Sequence, residues 1–230
     1  MKQCRFILND REDGFYNIAL DEALMLSCKS SEKPFSAFRL YTWKNPCLTI
    51  GYFQKYADIE KLKIRGAPII RRLTGGLAVN HVNDLSYSFI TNASQWPYVY
   101  DQEKSYKAVH SAIKEALISL GIKAEFIEAP LRSKNNSVCV KTLFDYDLQL
   151  NGEKILGSCQ RRSGKILLQQ GSIRIPKQIV FKKAVEEIKI SLKNALKMDL
   201  IDSKAGLKEE HLSANLIKEK YSNIKWVKKF

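Results

Sequence analysis

A hairpin signal at Asn151-Gly152 constrains the fold of this chain most strongly. Asn-Gly between two alternating segments is typical of a two-residue β-turn, and here DYDLQL precedes it and EKILGSCQR follows it. A second turn at residues 162–164 (RSG) leads into KILLQQGSIRI. Residues 145–175 are therefore predicted to form an antiparallel meander, which a doubly wound parallel sheet does not contain.

The rest of the chain mixes helices with further strands. Apolar periodicity predicts helices over 14–28, with Phe15, Ile18, Ala19 and Leu26 near one face, over 102–120, and in the tail from Pro176, including 208–221. Strands are predicted within 36–53, 68–72, 84–91 and 124–127. We therefore expect an α+β fold with a mixed, largely antiparallel sheet and flanking helices. Residues 1–230 are expected to form a single domain with a helical C-terminal tail, about 177–230.

Cysteine usage and hydropathy favour a cytoplasmic protein. The five cysteines are odd in number and contain no CxxC pair, which argues against a disulfide framework or a zinc knuckle. No apolar run is long enough to span a membrane, and the charged N-terminus does not resemble a signal peptide. The net charge of +14 favours acidic partners, but charge alone does not choose among nucleic acid, anionic membrane and acidic protein.

The first segment that could carry chemistry is the run from Arg71 to Gly76, RRLTGG. Glycines let a backbone approach a ligand closely, and their N–H groups can bind an anion. Two arginines and a threonine hydroxyl would add charge and a donor, and His81 could line the same pocket. The alternative is a plain hairpin turn with two surface arginines.

The second segment follows the Asn-Gly turn. Strand alternation would place side chains of residues 154, 156, 158 and 160 on one face, and those of residues 155, 157 and 159 on the other. Lys154, Ser158 and Gln160 would then form a polar cluster able to hold a carbonyl or phosphoryl oxygen. The alternative is that Lys154 is a solvated strand lysine.

The third segment is Ser137-Val138-Cys139. A loop thiol beside lysines can have a lowered pKa and act as a nucleophile, whereas the alternative is a small buried hydrophobe. Cys159 is the rival thiol, and alternation disfavours it because it would lie opposite Lys154. The three histidines show no Ser-His-Asp order or metal-ligand spacing, so no metal site is expected.

Four stretches of the chain occur in the order of one known superfamily. RRLTGGLAVNH followed by DLSYS resembles the RRxTGGxAVxH…ELTYS signature of the lipoate–protein ligases and octanoyltransferases. NGEKILGSCQRR resembles their second signature, a lysine followed by G-S/N-A-Q-x-R, and FYNIALDEAL and LTIGYFQ also match. The resemblance runs from about Phe15 to Ile173. It is nearest to the cysteine-loop octanoyltransferases and octanoyl amidotransferases, because Cys139 stands at their nucleophile position.

The resemblance implies a catalytic domain with the biotin/lipoate protein ligase-like fold. It assigns Cys139 as nucleophile and Lys154 as the group that contacts the acyl carbonyl. The residues it implies for acyl and substrate binding are Arg71, Arg72, Thr74, Gly75, Gly76, His81, Gly157, Ser158 and Gln160.

The implied activity is transfer of octanoyl or lipoyl groups to lysines of lipoyl-carrier proteins through a cysteine thioester, without a cofactor. The donor would be octanoyl-acyl carrier protein or an octanoylated carrier, and the acceptor a lipoyl domain or glycine-cleavage H protein. Nucleic acid and membrane are not expected partners. The alternatives are a lipoate–protein ligase, which would use ATP and Mg to form lipoyl-adenylate, and a non-catalytic basic binding protein.

Three departures from the family pattern bear on these assignments. Leu77 replaces a third glycine of the ligases, which argues against a tight nucleotide loop. Val82 replaces the acidic residue that usually follows the histidine, although Asp84 is near, and this leaves the role of His81 open. Cys159 replaces an alanine.

Overall fold

The computed structural model describes residues 1–59, 62, 66–127, 146–176 and 178–230. The strands are β1 (Lys2–Glu12), β2 (Ser36–Trp43), β3 (Cys47–Ile50), β4 (Ile69–Arg71), β5 (Val79–His81), β6 (Leu85–Asn92), β7 (Glu125–Phe126), β8 (Leu148–Leu150), β9 (Glu153–Ser163), β10 (Ile166–Ile173) and β11 (Met198–Ser203). The helices are α1 (Gly14–Ser30), α2 (Tyr56–Ile59), α3 (Gln102–Ser119), α4 (Phe181–Leu196), α5 (Leu207–Leu216) and α6 (Ile224–Val227).

Eight strands form one sheet in the order β11-β1-β2-β6-β10-β9-β8-β7. β1 pairs in parallel with β11 and with β2, and every pairing from β2 to β7 is antiparallel. Helices α3 and α4 pack on one face of this sheet, while α1 packs on the other. The prediction of a mixed, largely antiparallel sheet with flanking helices is confirmed.

A second, three-stranded sheet, β4-β3-β5, lies on the α1 side of the large sheet. β4 and β5 lie on either side of the Arg71–Gly76 run, and β3 pairs with both. The predicted strands around residues 44–46 therefore separate, since β2 joins the large sheet and β3 the small one. The space between the two sheets is lined by Arg72, His81, Gly157 and Cys159 of the predicted motifs.

Helix α1 forms where its spacing predicts it, but its burial is not one-sided. The Asp13 side chain caps it by accepting a hydrogen bond from the backbone N–H of Phe15. Leu26, predicted to face the core, is 36% exposed, whereas Asn17 and Asp21 are fully buried. The prediction that only one face of α1 is buried was wrong. Because α1 lies between the two sheets, its polar side is covered as well.

The β8–β9 hairpin is confirmed, and it contains a bulge that the alternation pattern does not show. Asn151 and Gly152 have φ values of 53° and 80°, as a type I′ turn requires. Leu148 pairs with Leu156, whereas Gln149 pairs with Lys154, so Ile155 is an extra residue in β9. A bulge shifts the alternation of every side chain before it. Ile155 and Leu156 both enter the core under α3 and α4.

The bulge corrects the predicted sorting of β9. Lys154 does not share a face with Ser158 and Gln160. Its Nζ lies 2.7 Å from the point where a Gly157 side chain would begin, so Lys154 lies on the face of Gly157 and Cys159.

The C-terminal tail is not all helical, which corrects a second prediction. Lys197 adopts φ 54° and ends α4, and β11 then runs parallel to β1 at the edge of the large sheet. Met198 and Leu200 of β11 are buried in the core. The apolar alternation of so short a strand is weak in sequence, and its pairing with β1 stabilises it.

Candidate active site

A narrow cleft separates the small sheet from β9 and β10. Its cavity measures about 30 Å³ and lies beside a larger groove of about 650 Å³ between the Gly75-Gly76 loop and α3. Cys159 and Ser158 line both. The other cleft residues used below are Thr49, Arg72, His81, Gly157, Gln170 and Ser172.

The Gly75-Gly76 loop is held against β9 by close backbone packing. Gly76 has a φ of 80°, and a side chain there would overlap the Sγ of Cys159. A side chain at Gly51 would overlap the carbonyl oxygen of Gly76. The glycines of LTIGYFQ and of RRLTGG are thus required by the same contact, which brings this loop onto the cleft face of β9.

Arg72 and Thr74 fix this loop from inside. The Arg72 guanidinium donates to the carbonyl oxygens of Gly75 at 2.7 Å and Leu77 at 2.8 Å, and it lies 3.7 Å from the Sγ of Cys159. The buried Thr74 hydroxyl donates to Gln170 at 2.9 Å. Both side chains hold the loop, with Arg72 also adding positive charge beside Cys159.

Arg71 lies outside the cleft. It is fully buried and donates to the carbonyl oxygens of Gly51, Tyr52, Gln54 and Val227 at 2.6–3.0 Å. The structure therefore places Arg71 as a brace between the 51–54 turn and the C-terminal segment, and does not bring it together with the other predicted site residues.

Lys154 is buried and its position is defined by two neighbours. Its Nζ lies 2.6 Å from Oδ2 of Asp147, and both side chains are almost fully buried. Gly157 supplies the space that the Lys154 side chain crosses. An ammonium held on the cleft side of β9 can stabilise negative charge on a substrate oxygen.

His81 has the acidic partner that Val82 does not provide. Its Nδ1 lies 2.7 Å from Oδ2 of Asp84, and its Nε2 lies 2.9 Å from Oγ1 of Thr49. Burial by itself raises the pKa of Asp84, but the nearby His81 and the hydroxyls of Ser86 and Ser172 outweigh it and leave that pKa lowered. Asp84 therefore orients the His81 ring at the cleft wall and acts as the acidic partner that Val82 cannot be.

Ser158 and Gln160 point to the α3 side of β9. The Ser158 hydroxyl lies 2.6 Å from Nε2 of His110, and Gln160 donates to the Ser105 hydroxyl at 2.9 Å and to Gln169 at 2.7 Å. Ser158 and Gln160 therefore hold β9 from its α3 face, while Gly157 and Cys159 face the cleft.

His110 was not among the predicted site residues. Its Nδ1 donates to the carbonyl oxygen of Tyr146 at 2.6 Å, so its Nε2 must accept from Ser158. Burial lowers the pKa of His110 to about 4, which keeps the ring neutral. In the sequence, His110 is notable only as a polar residue beside the apolar stripe of α3. That position predicts that the side chain is buried but not which groups it contacts.

The cysteines differ in accessibility. Cys139 lies within residues 128–145, outside the described residues. Cys4, Cys28 and Cys47 are buried, and burial raises the pKa of each thiol, to about 12 for Cys4. Cys159 is half-buried and faces the cleft. The argument that Cys159 lies opposite Lys154 was wrong, because the bulge places both on one face.

Neither a membrane-spanning helix nor a cluster of metal-ligating side chains occurs in the described ranges. No helix there is long and apolar enough to cross a bilayer. The same part of the chain contains no group of three or more His, Cys, Asp or Glu side chains arranged to hold a metal ion.

Residues 13–195 match the family model of the lipoyl protein ligase A/B catalytic domain. Similar curated proteins are named octanoyltransferase LipM. The chain is 29% identical to that of Carboxydothermus hydrogenoformans over the full length of both proteins. It is 30% identical to that of Staphylococcus aureus, over 94% of this chain and 83% of the relative. Identity to the Geobacillus kaustophilus protein is 37% over 74% of this chain. That alignment spans 64% of the Geobacillus protein. The alignments to several other relatives also span less than two thirds of the relative's length.

Solved structures share the fold at lower identity. Lipoate-protein ligase A bound with ATP superposes with a TM-score of 0.80 at 21% identity, over 99% of both chains. The bipartite lipoate protein ligase of Thermoplasma acidophilum superposes with a TM-score of 0.74 at 19% identity, over 100% of this chain and 98% of that one. The family match covers most of the chain, and the chain belongs to the lipoyl protein ligase A/B catalytic domain family.

Proposed function

We propose that this protein transfers octanoyl groups to lysines of lipoyl-carrier proteins through a cysteine thioester, with residues 1–230 acting as one catalytic domain. The observation that carries the proposal is Lys154, whose buried ammonium lies beside Gly157 on the cleft face of β9. The names of the relatives, octanoyltransferase LipM, favour octanoyl transfer over ligation.

In the first step, the Cys139 thiolate attacks the carbonyl carbon of an octanoyl thioester. Negative charge develops on the carbonyl oxygen, where the Lys154 ammonium stabilises it; a preorganised donor of this kind is worth roughly 3 kcal/mol. The bond from the acyl carbon to the carrier sulfur then breaks. The carrier leaves as a thiolate that takes a proton from solvent, and the octanoyl group remains on the enzyme.

In the second step, the neutral amine of the acceptor lysine attacks the enzyme thioester. Lys154 again stabilises the developing oxyanion. The carbon–sulfur bond breaks as the amide forms, which regenerates the enzyme thiolate. The proton lost by the amine passes to solvent and replaces the one that the carrier took up. The cycle balances without ATP, a metal or a redox partner, so we propose that no cofactor is needed.

Donor, acceptor and location follow from the same proposal. The donor is octanoyl-acyl carrier protein or an octanoylated carrier, and the acceptor is a lipoyl domain or the glycine-cleavage H protein. The structural analysis of one ligase of the same fold, from Thermoplasma acidophilum, also covers its E2 lipoyl domain. We place the reaction in the cytoplasm, without nucleic acid or membrane as partner.

The alternative function is that of an ATP-dependent ligase. It is supported by the fold, which this chain shares with a lipoate-protein ligase solved with bound ATP. Leu77 in place of a third glycine favours transfer, because it argues against a tight nucleotide loop. A ligase would require ATP and Mg and no enzyme thiol.

Trapping the acyl-enzyme with radiolabelled octanoyl carrier protein separates these mechanisms. We expect a hydroxylamine-labile octanoyl-enzyme that forms without ATP, persists in Cys159→Ala and disappears in Cys139→Ala. Loss of label only in Cys159→Ala would transfer the nucleophile role to Cys159. Activity that needs ATP and survives both substitutions would overturn the thioester mechanism in favour of ligation.

A further inference from the structure

An aromatic cluster that the proposed chemistry does not use lies at one end of the small sheet. It is called here the aromatic patch and consists of Tyr52, Phe53, Trp226 and Phe230. The Tyr52 ring contacts the other three, and Phe53 also contacts Phe230, with ring centroids 4.8–5.7 Å apart. Phe53 is 73% exposed and Phe230 is 43% exposed. Clustered exposed aromatic rings are unusual on a protein surface and are enriched in binding interfaces.

Cations surround the patch. Lys229 donates to the Tyr52 hydroxyl at 2.7 Å, Arg161 lies 4.9 Å from the Tyr52 ring centroid, and Lys228 lies 5.1 Å from that of Tyr56. Lys228, Lys229 and Arg161 form no ion pair with a carboxylate of the described residues. Exposed aromatic rings with a cationic rim fit a partner that presents carboxylates around an apolar contact.

The patch is held rigidly. The buried Arg71 guanidinium contacts the carbonyl oxygens of Tyr52 and Val227, and the backbone N–H of Tyr56 donates to the carbonyl oxygen of Phe230 at 3.0 Å. A surface ordered before binding loses less conformational entropy when a partner docks.

The patch adjoins the mouth of the cleft. The backbone N–H of Tyr52 donates to the Thr74 carbonyl at 2.9 Å, and Arg161 donates to the Leu73 carbonyl at 3.2 Å. Arg161 follows Cys159 by two residues on the same face of β9, which is roughly 7 Å along a strand.

We propose that the aromatic patch and its cationic rim dock the acceptor protein, through an acidic surface around its target lysine. This inference rests on the proposed function. A lysine side chain is short, so the protein that carries it must dock next to the cleft. A donor that presents its acyl group on a long flexible arm has no such requirement. A docking surface at the cleft mouth therefore fits the acceptor and not the donor.

Single-turnover transfer from preformed octanoyl-enzyme to a purified lipoyl domain tests the proposal. The patch variants are Phe53→Ala and the double variant Lys228→Glu/Lys229→Glu. The matched control is Lys182→Glu/Lys183→Glu, which makes the same charge change at exposed residues of α4, across the large sheet. We expect the patch variants to need on the order of tenfold more lipoyl domain for half-maximal transfer, with unchanged octanoyl loading and thermal midpoint.

Three results would overturn the docking proposal: no change, an equal change in the α4 control, or a loss confined to octanoyl loading. If the parent protein never becomes acylated, the proposed function fails, and titration of the lipoyl domain still decides the docking surface. Tenfold weaker binding by the patch variants alone supports it, and equal binding by all variants rejects it.

Discussion

At the scale of single residues, the absence of a side chain organises the candidate site. Gly157 leaves the space that Lys154 crosses, and Gly76 leaves the space that Cys159 fills. Lys154 is otherwise enclosed, with Asp147 as its charged neighbour. The position of the ammonium therefore depends on a neighbour that contributes no functional group.

Substituting Gly157→Ala tests this dependence. The new methyl carbon would lie 2.5 Å from Cε of Lys154, so the lysine must move away from its position. We expect octanoyl transfer to fall roughly 100-fold, the size of losing one preorganised donor, while the circular dichroism spectrum stays unchanged. Gly206→Ala is the control, since its nearest contact is an ordinary 3.6 Å. Unchanged transfer by Gly157→Ala would contradict the placement of Lys154.

His110 predicts a pH dependence of stability. Its pKa is 6.5 in an ordinary setting and is lowered to about 4 by burial. Between these values the unfolded chain binds a proton that the folded protein does not. The contribution of His110 is therefore complete above pH 6.5 and is lost as the pH falls towards 4, by about 3 kcal/mol in total.

Urea unfolding at pH 7 and pH 5 measures this loss. His110→Asn removes the titrating group, so we expect its stability to change less between the two pH values than that of the parent. His211→Asn, at an exposed position, should retain the parent's change. Equal pH dependence in all three proteins would show that His110 does not titrate with the lowered pKa.

At the scale of elements, α1 depends on polar contacts made from a buried position. The Asp21 carboxylate pairs with the Arg39 guanidinium at 2.9 Å and accepts hydrogen bonds from Ser88 and Gln170. Gln170 in turn accepts from Thr74 of the Gly-Gly loop. The helix is therefore linked to β2, β6, β10 and the candidate site through one charged side chain.

Removing Asp21 should therefore cost more than removing the cap of the same helix. In Asp21→Ala the Arg39 guanidinium stays buried without its counter-ion, which costs about 3–5 kcal/mol. Asp13→Ala removes the N-cap hydrogen bond and should cost about 1 kcal/mol. Free energies of unfolding from urea titration compare the two. Similar values would mean that the buried network contributes little.

At the scale of the whole molecule, the C-terminal segment packs against residues that are far away in sequence. Trp226 donates to the backbone carbonyl of Arg71 at 2.9 Å, and the Arg71 side chain contacts Val227. The same guanidinium holds the 51–54 turn, whose Gly51 packs on the Gly-Gly loop. Residues 226–227 and the candidate site thus share one buried arginine.

A chain that ends at Asn223 tests this coupling. It lacks the carbonyl groups that Arg71 contacts at Trp226 and Val227, which leaves a buried cation with fewer acceptors. We expect the thermal midpoint to fall by roughly 5 °C and proteolysis within the 51–54 turn to accelerate. Lys228→Ala/Lys229→Ala keeps those carbonyls and should retain the parent midpoint. A truncated chain as stable as the parent would argue against the brace.

Local sequence patterns alone determined the hairpin at Asn151-Gly152 and the helices α1 and α3, whereas the motif residues that line the cleft were identified by the family resemblance. Turn chemistry, helical spacing and glycine content act over a few residues, so they are readable without the fold. Tertiary structure alone decided the addition of β11 to β1, the bulge that turns Lys154 towards Cys159, the direction of Arg71 and the pairing of His110 with Ser158. Each of these depends on contacts between elements distant in sequence, where packing and buried polar groups outweigh local preference.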